Sequence, residues 1–277
     1  MTSPVELSFE FFPPKTPYGQ EQLLSVRDQL AVLDPNFFSV TFGASGSTQE
    51  RTLETVLEMG ATGIETAPHM ACILSSKEKV RAQLHKYQEK GIKRIVALRG
   101  DLPSGVGAPG ELPHANELVE FIRAETGDHF HLEVAAYPET HPQARSFEDD
   151  LKNFKRKIDA GANSAITQYF YNADAYFYFV ERCQKLGIDV PIVAGVMPIT
   201  NYSNLIRFSE ACGAEIPRWV AKQLDAYHDD TASIRQFGEE VVTRLCEQLI
   251  AGGAPSLHFY TLNQTEPSLK ICKNLGL

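Results

Sequence analysis

Residues 95–103, with the sequence IVALRGDLP, join an apolar run to an abrupt polar end. The first four residues are typical of a strand buried on both faces, as in a parallel sheet. Arg99 and Asp101 follow at once, on a turn that contains Gly100. Charged groups beside a buried strand are costly unless they pair, bind water or face a ligand. Because parallel α/β proteins carry their chemistry at the carboxyl ends of strands, this junction predicts a functional site.

The same pattern of an apolar run with a polar end occurs at seven further places along the chain. Amphipathic stretches separate these runs, and such alternation predicts right-handed crossovers and a parallel sheet. Eight units in about 250 residues match the size of a (β/α)₈ barrel. The predicted strands are 5–12, 37–43, 63–69, 93–99, 131–137, 164–170, 191–197 and 256–262.

We therefore predict an α/β fold, a (β/α)₈ TIM barrel that forms one domain over residues 1–277. The seventh connection, 201–252, is too long for one helix. Pro217 predicts an extra helix near 217–227, and the acidic residues before Thr231 predict the start of the next helix. An open, doubly wound sheet is the alternative fold. The other predicted helices are 18–34, 47–60, 76–90, 114–126, 146–161, 172–187 and 265–275.

Composition and charge narrow the classes of partner. The 277 residues are 43% hydrophobic and 22% charged, which is ordinary globular usage. A formal net charge of -9 makes nucleic acid and anionic membranes poor partners, so an anionic ligand would need locally placed cations. The five cysteines form no C-x-x-C pair, and neither a signal peptide nor a run of about 20 apolar residues is present. We therefore expect a soluble cytoplasmic protein.

The carboxyl ends of the predicted strands carry polar side chains that would meet at one rim of a barrel. Only this rim is built from the long loops, so polar groups gathered there predict a binding site. The opposite ends carry unremarkable residues such as Lys93 and Ser164. The residues expected at the rim are Glu10, Thr41, His69, Arg99, Asp101, Tyr137, Glu139, His141, Gln168, Met197, Tyr260, Thr261 and Asn263.

Glu10 lies among three phenylalanines, in the segment SFEFFPP at residues 8–14. Apolar surroundings desolvate a carboxyl group and favour its protonated form, which keeps it able to donate a proton near neutral pH. The alternative is a side chain that turns to solvent or pairs with an arginine. The residues alone leave both interpretations open.

Two other groups also allow a functional and a structural interpretation. Arg99 and Asp101 either pair with each other to hold the turn, or surround a polar heterocycle together with backbone amides. In the fifth predicted helix, Asn153, Arg156 and Lys157 share one face. That face either binds a diphosphate or is a solvated basic surface.

Three motif searches argue against other chemistries. The GxGxxG match at residues 105–110 does not pass directly from a strand into a helix, so we predict a mobile loop there rather than a dinucleotide site. His129 and His131 form an H-x-H pair, but at the beginning of a strand and on the wrong rim, so we expect no metal. No lysine ends a predicted strand, which disfavours a Schiff-base aldolase.

Eight sequence blocks resemble those of the methylenetetrahydrofolate reductase family and occur in the same order. They run from residue 8 to residue 263, nearly the whole chain, and chance does not explain eight ordered matches. The likeness is to the bacterial type, because no regulatory domain follows the predicted barrel. The blocks are SFEFFPPK from residue 8, SVTFGA from 39, APH from 67, ALRGD from 97, AYPExHP from 136, KRKxDAGA from 155, ITQ from 166 and HFYTLN from 258.

The resemblance implies a flavoenzyme with tightly but non-covalently bound FAD and with NADH as reductant. Hydride would reach 5,10-methylenetetrahydrofolate in a ping-pong scheme, and the product 5-methyltetrahydrofolate would feed methionine synthesis. Glu10 would be the general acid that helps to open the folate ring, and Asp101 a carboxylate beside flavin and folate. Gln168 and Phe208 would contact the substrate. The residues that match FAD contacts are Thr41, His69, Arg99, Gly100, Asp101, Ala115, Tyr137, His141, Asp150, Asn153, Arg156 and Lys157.

Two positions depart from the family pattern. Gln264 follows Asn263 where the family has an arginine that would contact the folate tail, and His114 replaces a tyrosine before Ala115. We expect small-molecule substrates, no nucleic acid, no membrane and a homo-oligomer. Two other functions are kept as alternatives: a metal-dependent barrel hydrolase or aldolase, and a flavin- or folate-binding subunit without turnover.

Overall fold

A computed structural model of the chain describes residues 5–43, 48–101 and 110–277. Eight strands form a closed barrel in chain order, and each strand is parallel to its neighbours. The predicted TIM barrel is therefore confirmed, and the open sheet is excluded. The strands are β1 (Glu6–Phe11), β2 (Phe37–Val40), β3 (Glu65–Ala71), β4 (Arg94–Leu98), β5 (His131–Ala136), β6 (Ser164–Thr167), β7 (Ile192–Val196) and β8 (Ser256–Tyr260).

Ten α-helices in the described residues connect and follow the strands, and a 3₁₀ turn at Gly60–Thr62 follows the second. The seventh connection holds three helices, as predicted. Pro217 directly precedes the eighth helix, and the Asp230 side chain caps the ninth by accepting a hydrogen bond from Ser233 N (3.1 Å). The helices are α1 (Pro17–Ala31), α2 (Gln49–Met59), α3 (Lys77–Glu89), α4 (Ala115–Thr126), α5 (Phe147–Asp159), α6 (Ala173–Lys185), α7 (Tyr202–Cys212), α8 (Arg218–Ala226), α9 (Thr231–Ala251) and α10 (Glu266–Asn274).

Side chains alternate between the helical coat and the barrel lumen, because successive residues of a strand point to opposite faces. The larger apolar layer packs the strands against the helices and includes Phe9, Phe11 and Phe38. A smaller apolar cluster fills the middle of the lumen and consists of Phe37, Ala67, Val96, Ile166 and Val193. The middle of the lumen is thus a packed core.

The amino-terminal end of the lumen holds a buried ion cluster. Arg94 pairs with Glu65 (2.7 Å) and with Glu133 (2.6 Å). Glu133, 1% exposed, also accepts a hydrogen bond from Ser164 Oγ (2.6 Å) and lies 3.1 Å from His131 Nε2. The expectation of unremarkable residues at this end was wrong, since charged residues that point into the lumen from neighbouring strands pair there.

The Glu133 carboxylate is ionised despite its burial. Burial raises the pKa of Glu133. Hydrogen bonds from His131 and Ser164 and the charge of Arg94 together outweigh this effect, and they bring the pKa below its ordinary value. His131 and its neighbour His129 lie at the amino-terminal rim, as predicted, and His129 Nε2 contacts the Ile92 carbonyl (3.2 Å). No helix in the described part of the chain is both long and apolar enough to cross a membrane.

We expect Glu133→Leu to lower the free energy of unfolding by about 3–5 kcal/mol, because Arg94 would keep a buried charge with one partner fewer. Glu65→Gln is the matched control and should cost less, since Glu65 is more exposed (32% against 1% for the side chains). Urea denaturation at neutral pH gives both values.

The pH dependence provides a second check on Glu133. A carboxyl whose pKa is lower in the folded state stabilises the fold above the ordinary glutamate value of about 4.3, and that stabilisation is lost as the pH falls through the folded value. The difference between wild type and Glu133→Leu should therefore shrink in acid. A constant difference down to acid pH would contradict the assigned ionisation.

Candidate active site

The carboxyl ends of the strands surround a cavity of about 820 Å³. This volume suits a cofactor or a substrate of similar size. Its walls are largely apolar, and its polar side chains come from different strands and loops. The predicted site residues that line it are Glu10, Thr41, His69, Gly100, Asp101, Tyr137, Gln168, Met197, Phe208 and Tyr260.

Glu10 lies on the floor of this cavity, with its side chain 19% exposed. Its Oε2 is 3.4 Å from His69 Nε2 and 3.7 Å from His258 Nε2. The expectation that phenylalanines surround this carboxyl group was wrong. Phe9 and Phe11 are its neighbours in sequence, but they point to the other face of β1 and pack under the helices. Glu10 therefore faces two imidazoles.

His69, on β3, contacts both Glu10 on β1 and Ser39 on β2. Its Nε2 also lies 3.3 Å from Ser39 Oγ, and its side chain is almost completely buried. Burial lowers the pKa of His69 and outweighs the charge of Glu10, which raises it; His258 lowers it further. The imidazole is therefore neutral near pH 7, so Glu10 has no cationic partner in His69.

Two residues expected at the rim hold the backbone beside Glu10. Thr261 Oγ1 donates a hydrogen bond to the Glu10 carbonyl (2.7 Å). Asn263 accepts a hydrogen bond from Phe12 N (3.0 Å) and donates one to the Phe12 carbonyl (2.9 Å). Leu262 and Asn263 have φ values of +51° and +57°, a conformation that side chains other than glycine adopt at a cost. These bonds fix the strand end that presents Glu10.

Arg99 and Asp101 do not form the ion pair that was one interpretation of their spacing. Arg99 Nε donates to the Gly100 carbonyl (3.1 Å), and no ion pair within residues 5–43, 48–101 and 110–277 joins it to Asp101. Asp101 is exposed and lines the cavity. Gly100 has φ +83°, and a Cβ there would lie 2.9 Å from the Ala71 Cβ. The turn therefore needs glycine and brings backbone close to the cavity.

The loop after β5 places further polar groups beside Arg99. His141 N donates to Asp150 Oδ2 (2.7 Å), and the Tyr137 and His141 rings pack edge to face, 4.5 Å apart. Burial raises the pKa of Tyr137 to about 12, and the charge of Asp101 adds to this. Burial lowers the pKa of His141, although Asp150 raises it. Near neutral pH both rings are therefore uncharged.

The side chain of Lys157 turns inward from α5 toward β5. Its ammonium donates a hydrogen bond to the Ala135 carbonyl, and burial lowers its pKa to about 8 despite the opposing charge of Asp150. Arg156 and Asn153 instead lie exposed on α5 and bond to each other (2.9 Å). The predicted shared face is therefore divided between an inward lysine and a solvated pair.

Several predicted cofactor contacts do not line the cavity in the described residues. Ala115 is half-buried at the start of α4, where His114 N donates to Glu117 Oε2 (2.8 Å) and so begins the helix. Residues 105–109 of the predicted loop lie outside the described residues. The predicted contacts beyond the cavity wall are Arg99, Ala115, His141, Asp150, Asn153, Arg156 and Lys157, and their roles stay predictions.

Four polar residues at or near the site were not predicted from the sequence. Ser39 and His258 lie two positions before Thr41 and Tyr260, and strand alternation alone could have placed them in the lumen. Tyr169 and Cys212 line the cavity, but they come from loop and helix positions without a periodic signal. Among the described residues, no group of three or more His, Cys, Asp or Glu side chains is placed to hold a metal ion.

The Thr41 hydroxyl is an unpaired polar group at the wall of the cavity, as far as the described residues go. Its oxygen is buried and has no hydrogen-bond partner in the described residues. Buried polar atoms are normally paired, so an unpaired one at a cavity wall points to a group that the ligand supplies. Lys157 bonds to the carbonyl of Ala135, a residue of the cavity wall, and so provides a cation for an anionic ligand in this acidic protein.

Comparisons of the sequence with known proteins agree on one family. A family model described as methylenetetrahydrofolate reductase matches residues 2–276. The chain is 43% identical over 276 residues to 5,10-methylenetetrahydrofolate reductase of Pectobacterium carotovorum subsp. carotovorum, a match that covers 99% of this chain and 91% of that protein. It is 39% identical over 284 residues to methylenetetrahydrofolate reductase (NADH) 1 of Zea mays, covering 98% and 48% of the two chains.

Solved structures support the fold. An uncharacterized protein from Clostridium thermocellum, described as binding two copies of 5-methyl-5,6,7,8-tetrahydrofolic acid, superposes with a TM-score of 0.68. The match covers 98% of this chain and 94% of that one, at 17% identity. At this identity the likeness concerns the barrel alone.

Proposed function

This chain belongs to the methylenetetrahydrofolate reductase family, and we propose that it reduces 5,10-methylenetetrahydrofolate to 5-methyltetrahydrofolate with NADH and bound FAD. One observation carries the proposal: a single cavity holds a carboxyl group on its floor, Glu10, and a second one at its rim, Asp101. A proton donor and a separate negative charge are what this reduction needs. The metal-dependent hydrolase or aldolase and the subunit without turnover find no support in the family match.

The residues of the cavity fit FAD as the cofactor. The Thr41 hydroxyl lacks a partner among the described residues, Gly100 lets the backbone approach a flat ring, and the apolar walls would exclude water. Lys157, with Arg99 and His141 beside it, would meet the diphosphate. When bound, FAD supplies the storage of a hydride between the two half-reactions. The protein supplies position and charge.

Glu10 would act as the general acid. Its proton passes to a nitrogen of the folate imidazolidine ring, the bond from that nitrogen to the methylene carbon breaks, and a cationic iminium carbon is left to accept the hydride. The sum is one NADH and one proton consumed for each methyl group formed. Because Glu10 lies at the floor of the cavity, the folate ring would enter with its reacting side down.

Asp101 would stabilise the positive charge that develops on the iminium. Its side chain is exposed and lines the rim of the cavity, where it can approach the ligand. Gln168 and Phe208 line the same cavity, and Phe208 offers an aromatic face for the folate ring. These side chains would orient the substrate between the two carboxyl groups.

NADH and folate would occupy the cavity one after the other, which is a ping-pong scheme. Glu10, Asp101, Gln168 and Phe208 line one cavity, and this favours successive use. The name of the Zea mays relative specifies NADH, which supports the choice of reductant. The product would feed methionine synthesis. The enzyme itself would be a cytoplasmic homo-oligomer.

A spectroscopic experiment tests the proposal as a whole. The purified protein should be yellow, NADH should bleach the flavin absorbance without oxygen, and methylenetetrahydrofolate should restore it. A colourless protein that gains no visible spectrum when FAD is added would contradict the proposal.

Replacing Glu10 separates the two half-reactions. Glu10→Gln should slow reoxidation by methylenetetrahydrofolate about 10²–10⁴-fold, because the proton donor is lost, while bleaching by NADH needs no such proton. Stopped-flow absorbance measures both rates. Glu139→Gln is the matched control, since Glu139 accepts a hydrogen bond from Glu215 N (2.8 Å) and does not line the cavity. Equal losses in the two half-reactions of Glu10→Gln would refute the acid role.

The lowered pKa of Lys157 predicts a pH-dependent affinity for FAD. Below about pH 8 the ammonium is charged and attracts the diphosphate; above it the charge is lost in the FAD-free protein. Lys157→Met should weaken binding about 10–100-fold at pH 7 and much less at pH 9. Calorimetric titration of the apoprotein with FAD measures both.

Lys155→Met is the control for Lys157. Lys155 is on the same helix and pairs with Asp159 (2.7 Å) at the surface. Its replacement should leave FAD affinity nearly unchanged. A loss that is the same for both lysines, or the same at both pH values, would contradict a local role of Lys157.

A further inference from the structure

A buried Ser–His pair lies directly under Glu10 in the lumen. Ser8 Oγ and His258 Nδ1 are 2.7 Å apart, and the two residues are 2% and 0% exposed. Neither residue lines the mouth cavity. The mechanism proposed for Glu10 and Asp101 assigns no role to this pair.

Strand register and ring packing fix the imidazole of His258. On β1 and β8, Ser8 is level with His258, and Glu10 is level with Tyr260. The His258 ring stacks on Phe37 (5.8 Å, 23° between planes) and meets Tyr260 edge on (5.4 Å, 85°). The ring therefore keeps one orientation, with Nδ1 toward Ser8 and Nε2 toward Glu10.

His258 Nε2 is a buried polar atom without a hydrogen-bond partner in the described residues. Such atoms are few in native proteins, and each asks for an explanation. Glu10 Oε2 lies 3.7 Å away, which is longer than a hydrogen bond but close enough for a small side-chain movement to close. Nε2 can therefore form a hydrogen bond with the carboxyl group of Glu10 when the two side chains move closer.

The hydrogen bond to Ser8 selects the tautomer of His258. If the Ser8 hydroxyl donates to Nδ1, the ring proton is on Nε2 and faces Glu10. In the reverse arrangement Nδ1–H would donate to Ser8 Oγ, and the Ser8 hydroxyl hydrogen would have no acceptor among the described residues. The first arrangement gives the Ser8 hydroxyl an acceptor, so the hydrogen-bond network assigns the proton to Nε2.

We propose that His258, oriented by Ser8, is a positioning residue whose Nε2–H closes on Glu10 Oε2 as Glu10 gives up its proton. The contact would stabilise the carboxylate that the transfer leaves behind, and a long contact before substrate binds is ordinary at such sites. The proton itself passes from Glu10 to the folate nitrogen, and His258 neither gains nor loses one. This inference rests on the proposed acid role of Glu10.

The other titratable groups that face Glu10 do not replace His258. His69 approaches Oε2 from β3 (3.4 Å) but shares its Nε2 with Ser39 Oγ (3.3 Å). Tyr260 donates its hydroxyl to the Thr167 carbonyl (2.7 Å) and so points away from the carboxyl group. His258 alone among these three has an uncommitted nitrogen aimed at Glu10.

The test compares the two half-reactions of the FAD-loaded enzyme over a range of pH. His258→Leu should slow the folate half-reaction about 10-fold or more. It should also move the basic limb of that profile to higher pH by about one unit, because a less stable carboxylate keeps its proton longer. His258→Gln, which retains an N–H donor, should recover most of the rate and the original limb. Ser8→Ala should shift the limb in the same direction by a smaller amount.

Ser164→Ala is the matched control, because Ser164 Oγ makes the same kind of bond to His131 Nε2 (2.7 Å) at the opposite end of the lumen. It should lower stability without moving the basic limb. An unmoved limb in His258→Leu overturns the inference, as does an equal shift in Ser164→Ala. If His258→Leu does not fold, Ser8→Ala decides in the same way. Full folate turnover by Glu10→Gln would instead overturn the proposed function, and the inference with it.

Discussion

A closed parallel barrel sends every second side chain of each strand into one narrow lumen, and the rest of this structure depends on that constraint. Five apolar residues pack together in the middle of the lumen beside the buried Ser8–His258 pair, and charged side chains that point into the lumen lie toward its two ends. At the amino-terminal end Arg94 and Glu133 neutralise each other. At the carboxyl end Glu10 faces His69 and His258, and it lies where a ligand can reach it.

Hydrogen bonds between β1 and the residues of β8 and its following loop fix the position of Glu10. Thr261 and Asn263 bond to the backbone on either side of Phe11, while Ser8 and His258 pair one step below. Polar side chains therefore grip the β1 end both above and below Glu10. Fixed carboxyl groups need little reorganisation when charge develops, which is the main contribution a protein makes to a reaction carried by a cofactor.

The sequence was sufficient to predict all eight strands and the three helices of the seventh connection, because apolar runs, Pro217 and Asp230 are local signals. It was not sufficient for the surroundings of Glu10, since neighbours in sequence point to opposite faces of a strand. The Arg94–Glu133 pair joins residues 39 positions apart, and no local pattern reports such a contact. Lys157 departs from the face it shares with Arg156 because a long side chain can turn inward while its neighbour stays in water. The pattern of the sequence thus predicts the strands and helices, whereas the packing of the fold determines which groups surround each side chain.

The central claim is that Glu10 and Asp101 act on one ligand from two sides. A crystal structure of Glu10→Gln with FAD and 5-methyltetrahydrofolate bound tests it most directly. The account predicts the folate ring over the flavin, with the amide introduced by this substitution within hydrogen-bond distance of a folate nitrogen and the Asp101 carboxylate beside the same ring system. A folate bound outside the cavity, or side chains at these two positions that point away from it, would contradict the account.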